Sequence, residues 1–130
     1  FCIALEGALK IKEVSYKHYE GFSSGELKHG VIALVEKGVP VLGIISDDKN
    51  KTGMINALTE IKSRGGVPIG IGYKPEDTNV FDSFIETKGS SYLSTINNTI
   101  PFQLIGYYLA TEQGFNPDKP RNLAKSVTVK

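Results

Sequence analysis

Two short and almost unbroken apolar runs, residues 39–45 (VPVLGII) and 67–73 (VPIGIGY), restrict the fold more than any other feature of the chain. A strand that is apolar at nearly every position has no face to show to water, so it suits the middle of a parallel sheet covered on both sides. Between the runs the pattern is helical. Ser46, Asp47 and Asp48 offer caps, Met54, Leu58 and Ile61 make an apolar stripe, and Arg64, Gly65 and Gly66 supply a stop. Strand, helix and strand at this spacing predict a right-handed crossover within a parallel sheet. Residues 81–87 read as a weaker third strand. Ser90 or Ser91 then caps a long helix reaching about Gln113, with Ile96, Ile100, Leu104 and Tyr107 or Tyr108 on its buried side and Pro101 kinking or splitting it. Gly70 and Gly72 lie inside an apolar run rather than between a strand and a helix, so they do not read as a phosphate loop.

Composition narrows the function classes. At 130 residues and 40% hydrophobic content the chain is one domain with one sizeable core. Fifteen basic residues against fourteen acidic leave a net charge of +1, which gives no electrostatic case for nucleic acid or a membrane surface. Cys2 is the only cysteine, so no internal disulfide is possible, and neither a metal-ligand cluster nor a second thiol accompanies it, which points to a reducing compartment; the expectation is a cytoplasmic domain without metal or cofactor. No apolar run approaches the ~18 residues of a membrane span, and no signal segment opens the chain. The chain starts at Phe1 and passes almost directly into a helix with no strand ahead of it. In a wound α/β domain such a helix follows a strand, so the expectation is an excerpt from a longer polypeptide.

That first helix, expected over residues 3–19 and closed by Gly21, carries a charged stripe where burial is wanted. At ~100° per residue, Glu6, Lys10 and Glu13, with Lys17, fall in a wedge of roughly 60°. Leu5, Leu9 and Tyr16 flank it on one side, and Ala4, Gly7, Ala8, Ile11 and Val14 on the other. Two readings fit. The stripe lines a cleft, where burial raises a carboxylate's pKa and a neighbouring ammonium lowers it, so that the pair can pass a proton near neutrality. Or it is an ordinary solvent-face ion pair worth a few tenths of a kcal/mol, the commoner case at this spacing. Further on, Ser23 and Glu26 have capping-box spacing, predicting a short helix near Gly25 that carries Lys28 and His29. A lone helical histidine, His18 or His29, is seldom catalytic. The tail, residues 114–130, has two prolines and no stripe long enough to bury itself. Its composition reads as a loose end, unless it folds back and presents Arg121 and Lys125.

Three motifs, ALEGALKIKEVSY, GELKHG and the closing PRNLAKSVTVK, together resemble the isomerase half of the glutamine:fructose-6-phosphate aminotransferases, in the same order and over essentially the whole chain. The resemblance implies an α/β, three-layer SIS (sugar isomerase) fold, a Rossmann-like parallel sheet flanked by helices. It divides the chain into a second SIS subdomain, residues 1–113, and a C-terminal tail, residues 114–130, folding over the active site. It implies the conversion of fructose 6-phosphate and glutamine-derived ammonia to glucosamine 6-phosphate. Glu13 would be the general base, Lys10 would stabilise developing charge, and Glu6 would position substrate or lysine. His29 would open the sugar ring from across a dimer interface. Lys125 would meet the open-chain carbonyl, with Arg121, Asn122, Ala124 and Ser126 shaping the substrate site around it. The implied partners are the sugar phosphate, a glutaminase domain and a first SIS subdomain of the same polypeptide, and a second copy in a homodimer or higher oligomer. The competing classes are a non-catalytic sugar-phosphate-binding SIS module and another SIS isomerase or deglycase.

Overall fold

In the computed structural model, which describes residues 1–88, 93–124 and 126, the two apolar runs become neighbouring strands. β1 (Pro40–Ile45) and β2 (Val67–Gly72) pair in parallel with Leu42 opposite Ile69, and β3 (Ser83–Glu86) joins the far side of β2, also in parallel, with Ile71 opposite Ile85. Side chains alternate across a sheet, so each strand feeds both faces. Ile45 packs with Leu27, Ala57, Leu58, Ile61 and Phe81 on one face, backed by Val41. Ile71 packs with Ile11 and Phe102 on the other, backed by Leu42, Ile44, Ile105 and Leu109. The result is three layers. Helix α2 (Lys51–Ser63) and two 3₁₀ turns, Ser24–His29 and Val31–Leu34, cover one face; α1 (Cys2–Ser15) and α3 (Ser94–Glu112) cover the other. Ile11, Ile45, Leu58 and Ile71 are completely or almost completely buried, and each contributes about 1.5–3 kcal/mol from burial.

The helix between the strands follows its sequence signals. The Asp48 carboxylate accepts the Asn50 N–H at 2.7 Å ahead of α2. At the other end the Gly66 N–H bonds to the Ile61 carbonyl and the Gly65 N–H to that of Lys62, with Gly65 at φ 85°, a Schellman stop that only glycine makes without strain.

Elsewhere the structure corrects the sequence expectations. α1 ends at Ser15 rather than Tyr19. The Ser15 hydroxyl donates to the Ile11 carbonyl at 2.7 Å, and Tyr16 itself takes the left-handed conformation, φ 58°, that closes the helix. Gly21 serves a different need: a Cβ there would lie 2.7 Å from the Ala4 backbone, so it lets the returning chain touch α1. The segment around Gly25 is a 3₁₀ turn, not an α-helix, and Ser23 makes no side-chain cap bond. α3 is one helix through Pro101, so the proline does not split it in two. Its buried side is also not the one expected. Ile96, Ile100, Leu104, Tyr107 and Tyr108 are exposed, while Asn98, Pro101, Phe102, Gly106 and Ala110 are buried. α3 is apolar on two sides, and close approach decides between them: Gly106 sits on Val14 and Ile11 of α1, and Gly7 of α1 sits on the Phe102 ring, where a Cβ would come within 2.5 Å of Cγ. The caps expected at Ser90 or Ser91 lie outside the described residues.

Candidate active site

The charged stripe is assembled as the spacing requires. Lys10 Nζ donates to Glu13 Oε2 at 2.9 Å and stands 3.6 Å from Glu6 Oε1. About a third of the Lys10 and Glu13 side chains is accessible, and about half of Glu6. The hydrogen bond to Glu13 is the main reason the Lys10 ammonium is held above the usual lysine pKa of 10.5; both carboxylates add their attraction, and partial burial works against them. Lys10 is therefore a cation throughout the neutral range. It is suited to stabilising negative charge, not to donating a proton at pH 7.

The described residues cover only one flank of the stripe. Gly7, Ala8 and Ile11 on one flank of the stripe are buried, as expected. On the opposite flank Leu5 and Leu9 are 45% and 43% exposed, which corrects the expectation that both flanks would be covered.

The tail returns to this helix. From Gly114, at φ 76°, the chain turns through Asn116, whose side chain accepts the Asp118 N–H at 2.9 Å. It then reaches the end of α1, where the Tyr16 phenol oxygen accepts the Arg121 backbone N–H at 2.9 Å. The Arg121 guanidinium lies over the Tyr16 ring, 4.0 Å from its centroid, and Phe115 meets the same ring edge-on at 4.8 Å. The described stretch of tail is thus pinned rather than loose. Arg121, Asn122, Ala124 and Ser126 are all exposed, and Asn122 is left-handed at φ 63°. Lys125 lies outside the described residues.

His29 is not brought to the stripe. Its Nδ1 is 3.0 Å from Glu26 Oε2, and its side chain is 70% exposed. It sits on the 3₁₀ turn whose Leu27 packs in the α2 layer, on the other side of the sheet from α1. The neighbouring Lys28 pairs with Glu60 of α2 at 2.8 Å. His18, 3.6 Å from Glu20, is likewise exposed. Sequence reasoning missed the role of Tyr16, which it placed among the apolar flanks of the stripe. A shallow cleft of about 910 Å³ between α2 and the loop after β2, lined by Lys51, Lys62, Tyr73 and Lys74, contains none of the expected residues. Among the described residues no group of three or more His, Cys, Asp or Glu side chains is arranged to hold a metal ion, and no helix is long and apolar enough to cross a membrane.

Comparison with known proteins places this geometry. Residues 1–112 match the model of the SIS domain. The chain is 51% identical over 127 residues to the glutamine–fructose-6-phosphate aminotransferase (isomerizing) of Pyrococcus horikoshii, covering 97% of this chain and 21% of that protein. Among solved structures, the C-terminal domain of glucosamine-fructose-6-phosphate aminotransferase from Francisella tularensis superposes with a TM-score of 0.83 at 37% identity, covering 90% of this chain and 34% of that one. Glucosamine-6-phosphate deaminase from Thermotoga maritima superposes with a TM-score of 0.73 at 31% identity, over 98% of this chain and 37% of that one. The chain spans about a fifth of the length of the curated relatives it matches. With a parallel sheet between two helical layers, and the family model covering all but the tail, the chain belongs to the SIS domain family.

Proposed function

We propose that this chain is the second SIS subdomain and tail of a glutamine:fructose-6-phosphate aminotransferase, in which it carries the sugar-isomerising step. The observation that carries the reading is the Lys10–Glu13 contact at 2.9 Å beside the exposed Leu5 and Leu9, with the tail pinned one turn away. After ammonia has replaced the C2 carbonyl oxygen of the open-chain sugar as an imine, with loss of water, a proton must leave C1 and arrive at C2. The C1 hydroxyl also gives up its proton and the imine nitrogen gains one, so that C1 becomes the aldehyde and the nitrogen the amine. One carboxylate can do both transfers across a planar enolamine, and Glu13 is the candidate. Lys10, permanently charged, stabilises the negative charge that develops on the neighbouring oxygen, and Glu6 holds the far side of that ammonium.

Lys125 is the proposed carbonyl partner: its unprotonated amine would first displace the C2 oxygen as water, and ammonia would then displace the Lys125 amine, which leaves and frees the imine. The tail residue Arg121 is held at the Glu13 end of α1. Arg121, Asn122, Ala124 and Ser126 form the substrate-side surface of the tail, so that residues 114–130 act as a lid on the 1–113 subdomain. His29 opens the ring of a sugar held by a second copy, which its place in the opposite layer supports. The cover over Leu5 and Leu9 comes from the rest of the polypeptide, a first SIS subdomain that grips the phosphate. A glutaminase domain supplies ammonia, and the whole works in the cytoplasm as a homodimer or larger oligomer.

The test uses the full-length protein. Glu13→Gln should lower amino-sugar formation by about 10²–10⁴, the usual share of a general base, while glutamine hydrolysis continues. Normal amino-sugar formation by this variant would remove Glu13 from the reaction.

A further inference from the structure

We propose that Tyr16 is the anchor of the tail and, through it, a positioning residue for the sugar step; the second half of this statement rests on the function proposed above. Two independent features of the residue meet here. Its backbone is left-handed, φ 58° and ψ 19°, a conformation that side chains larger than asparagine rarely adopt. Glycine would close α1 there with less strain. A tyrosine in that place adds a ring and a phenol, and the tail engages both. The phenol oxygen accepts the Arg121 N–H across 105 positions of sequence, one ring face carries the Arg121 guanidinium, and Phe115 packs on the ring edge.

These contacts clamp the tail at both ends of its described turn, at Phe115 and at Arg121, onto a residue that follows the end of α1 directly. Tyr16 is also three positions after Glu13. The same ring therefore fixes the distance between the helix carrying the carboxylate and the segment leading to Lys125. Nothing else among the described residues makes a side-chain hydrogen bond between the tail beyond Gly114 and α1 or its cap. A base on a helix and an amine on a tail need a fixed separation to act on adjacent carbons of one sugar, because small misplacements are costly to rate.

The experiment compares Tyr16→Phe and Tyr16→Gly with the parent in the full-length protein, by site-resolved amide hydrogen exchange and by steady-state kinetics. Tyr16→Phe keeps the ring and loses only the acceptor, so the Arg121 amide should exchange about fivefold faster, as expected for one ordinary hydrogen bond. Tyr16→Gly keeps the helix stop and loses the whole anchor. It should speed exchange across residues 115–124 further, leave the amides of α1 protected, and raise the KM for fructose 6-phosphate several-fold with glutamine hydrolysis unchanged. Unchanged exchange at Arg121 in both variants would overturn the anchor. Faster exchange with an unchanged sugar KM and kcat would overturn the positioning role. A parent protein that makes no amino sugar would sink the proposed function instead, and the exchange data would still decide whether Tyr16 holds the tail.

Discussion

Lys10 shows how a residue's neighbours settle its chemistry. With a carboxylate hydrogen-bonded at 2.9 Å and another at 3.6 Å, its proton is held more tightly in the fold than in an open chain. A folded-state pKa above the unfolded value of 10.5 means that the group's contribution to stability is complete below that unfolded pKa and is lost as pH rises through the folded one. Lys10→Met should therefore be less stable than the parent at pH 8, with the gap shrinking as the pH climbs past the ordinary lysine range. Denaturant titrations of both proteins at pH 8 and above pH 11 check this. A gap that stays constant or widens would show that the ammonium is not what the two glutamates stabilise. Because pairs this accessible contribute little to stability, the effect should be small, which fits a lysine kept for charge placement.

At the scale of elements, the sheet was plain in the sequence and the packing of the outer helices was not. Strands β1 and β2 were legible because a run apolar at every position has one stable solution, burial on both faces, and α2 was legible from its Gly65–Gly66 stop. α3 was legible as a helix but not in its orientation. With Ile96, Ile100 and Leu104 along one side and Phe102, Ile105 and Leu109 along another, periodicity cannot tell which side meets the chain's own sheet. What decided it was the fit of two glycines, Gly7 and Gly106, at the α1–α3 contact. The end of α1 was missed for a related reason, since Gly21 is the expected left-handed residue and Tyr16 is not. The Glu6–Lys10–Glu13 stripe was readable from spacing, but the open flank at Leu5 and Leu9 was not, because apolar residues on a helix face read as a core face whether or not the chain itself covers them. The orientation of α3 has a direct consequence. Phe102→Ala should destabilise the chain by about 3–5 kcal/mol, as for a buried ring, whereas Ile100→Ala should stay within about 0.5 kcal/mol. Chemical unfolding of the chain separates the two, and equal losses would reverse the assignment of the buried side.

For the whole molecule, what matters is that His29 and Glu13 sit on elements packed against opposite faces of the sheet. Leu27 ties the His29 turn to the α2 layer, while Ile11 ties the Glu13 helix to the α3 layer, with β1 and β2 between them. We propose that the histidine and the carboxylate serving one sugar come from different copies. An isologous dimer does this naturally, because each copy then offers its histidine to the other's cleft and receives one in return. Full-length His29→Ala and Glu13→Gln proteins should each be nearly inactive in amino-sugar formation. When the two are unfolded together and reassembled at equal amounts, half of the dimers should be mixed, and each mixed dimer should contain one site with both residues intact. Recovery of about a quarter of the parent activity is expected for such random pairing. Assay of the mixture against each variant reassembled alone gives the answer. Failure to recover activity, with mixed dimers shown to form, would mean that the histidine acts on its own chain's sugar or on none.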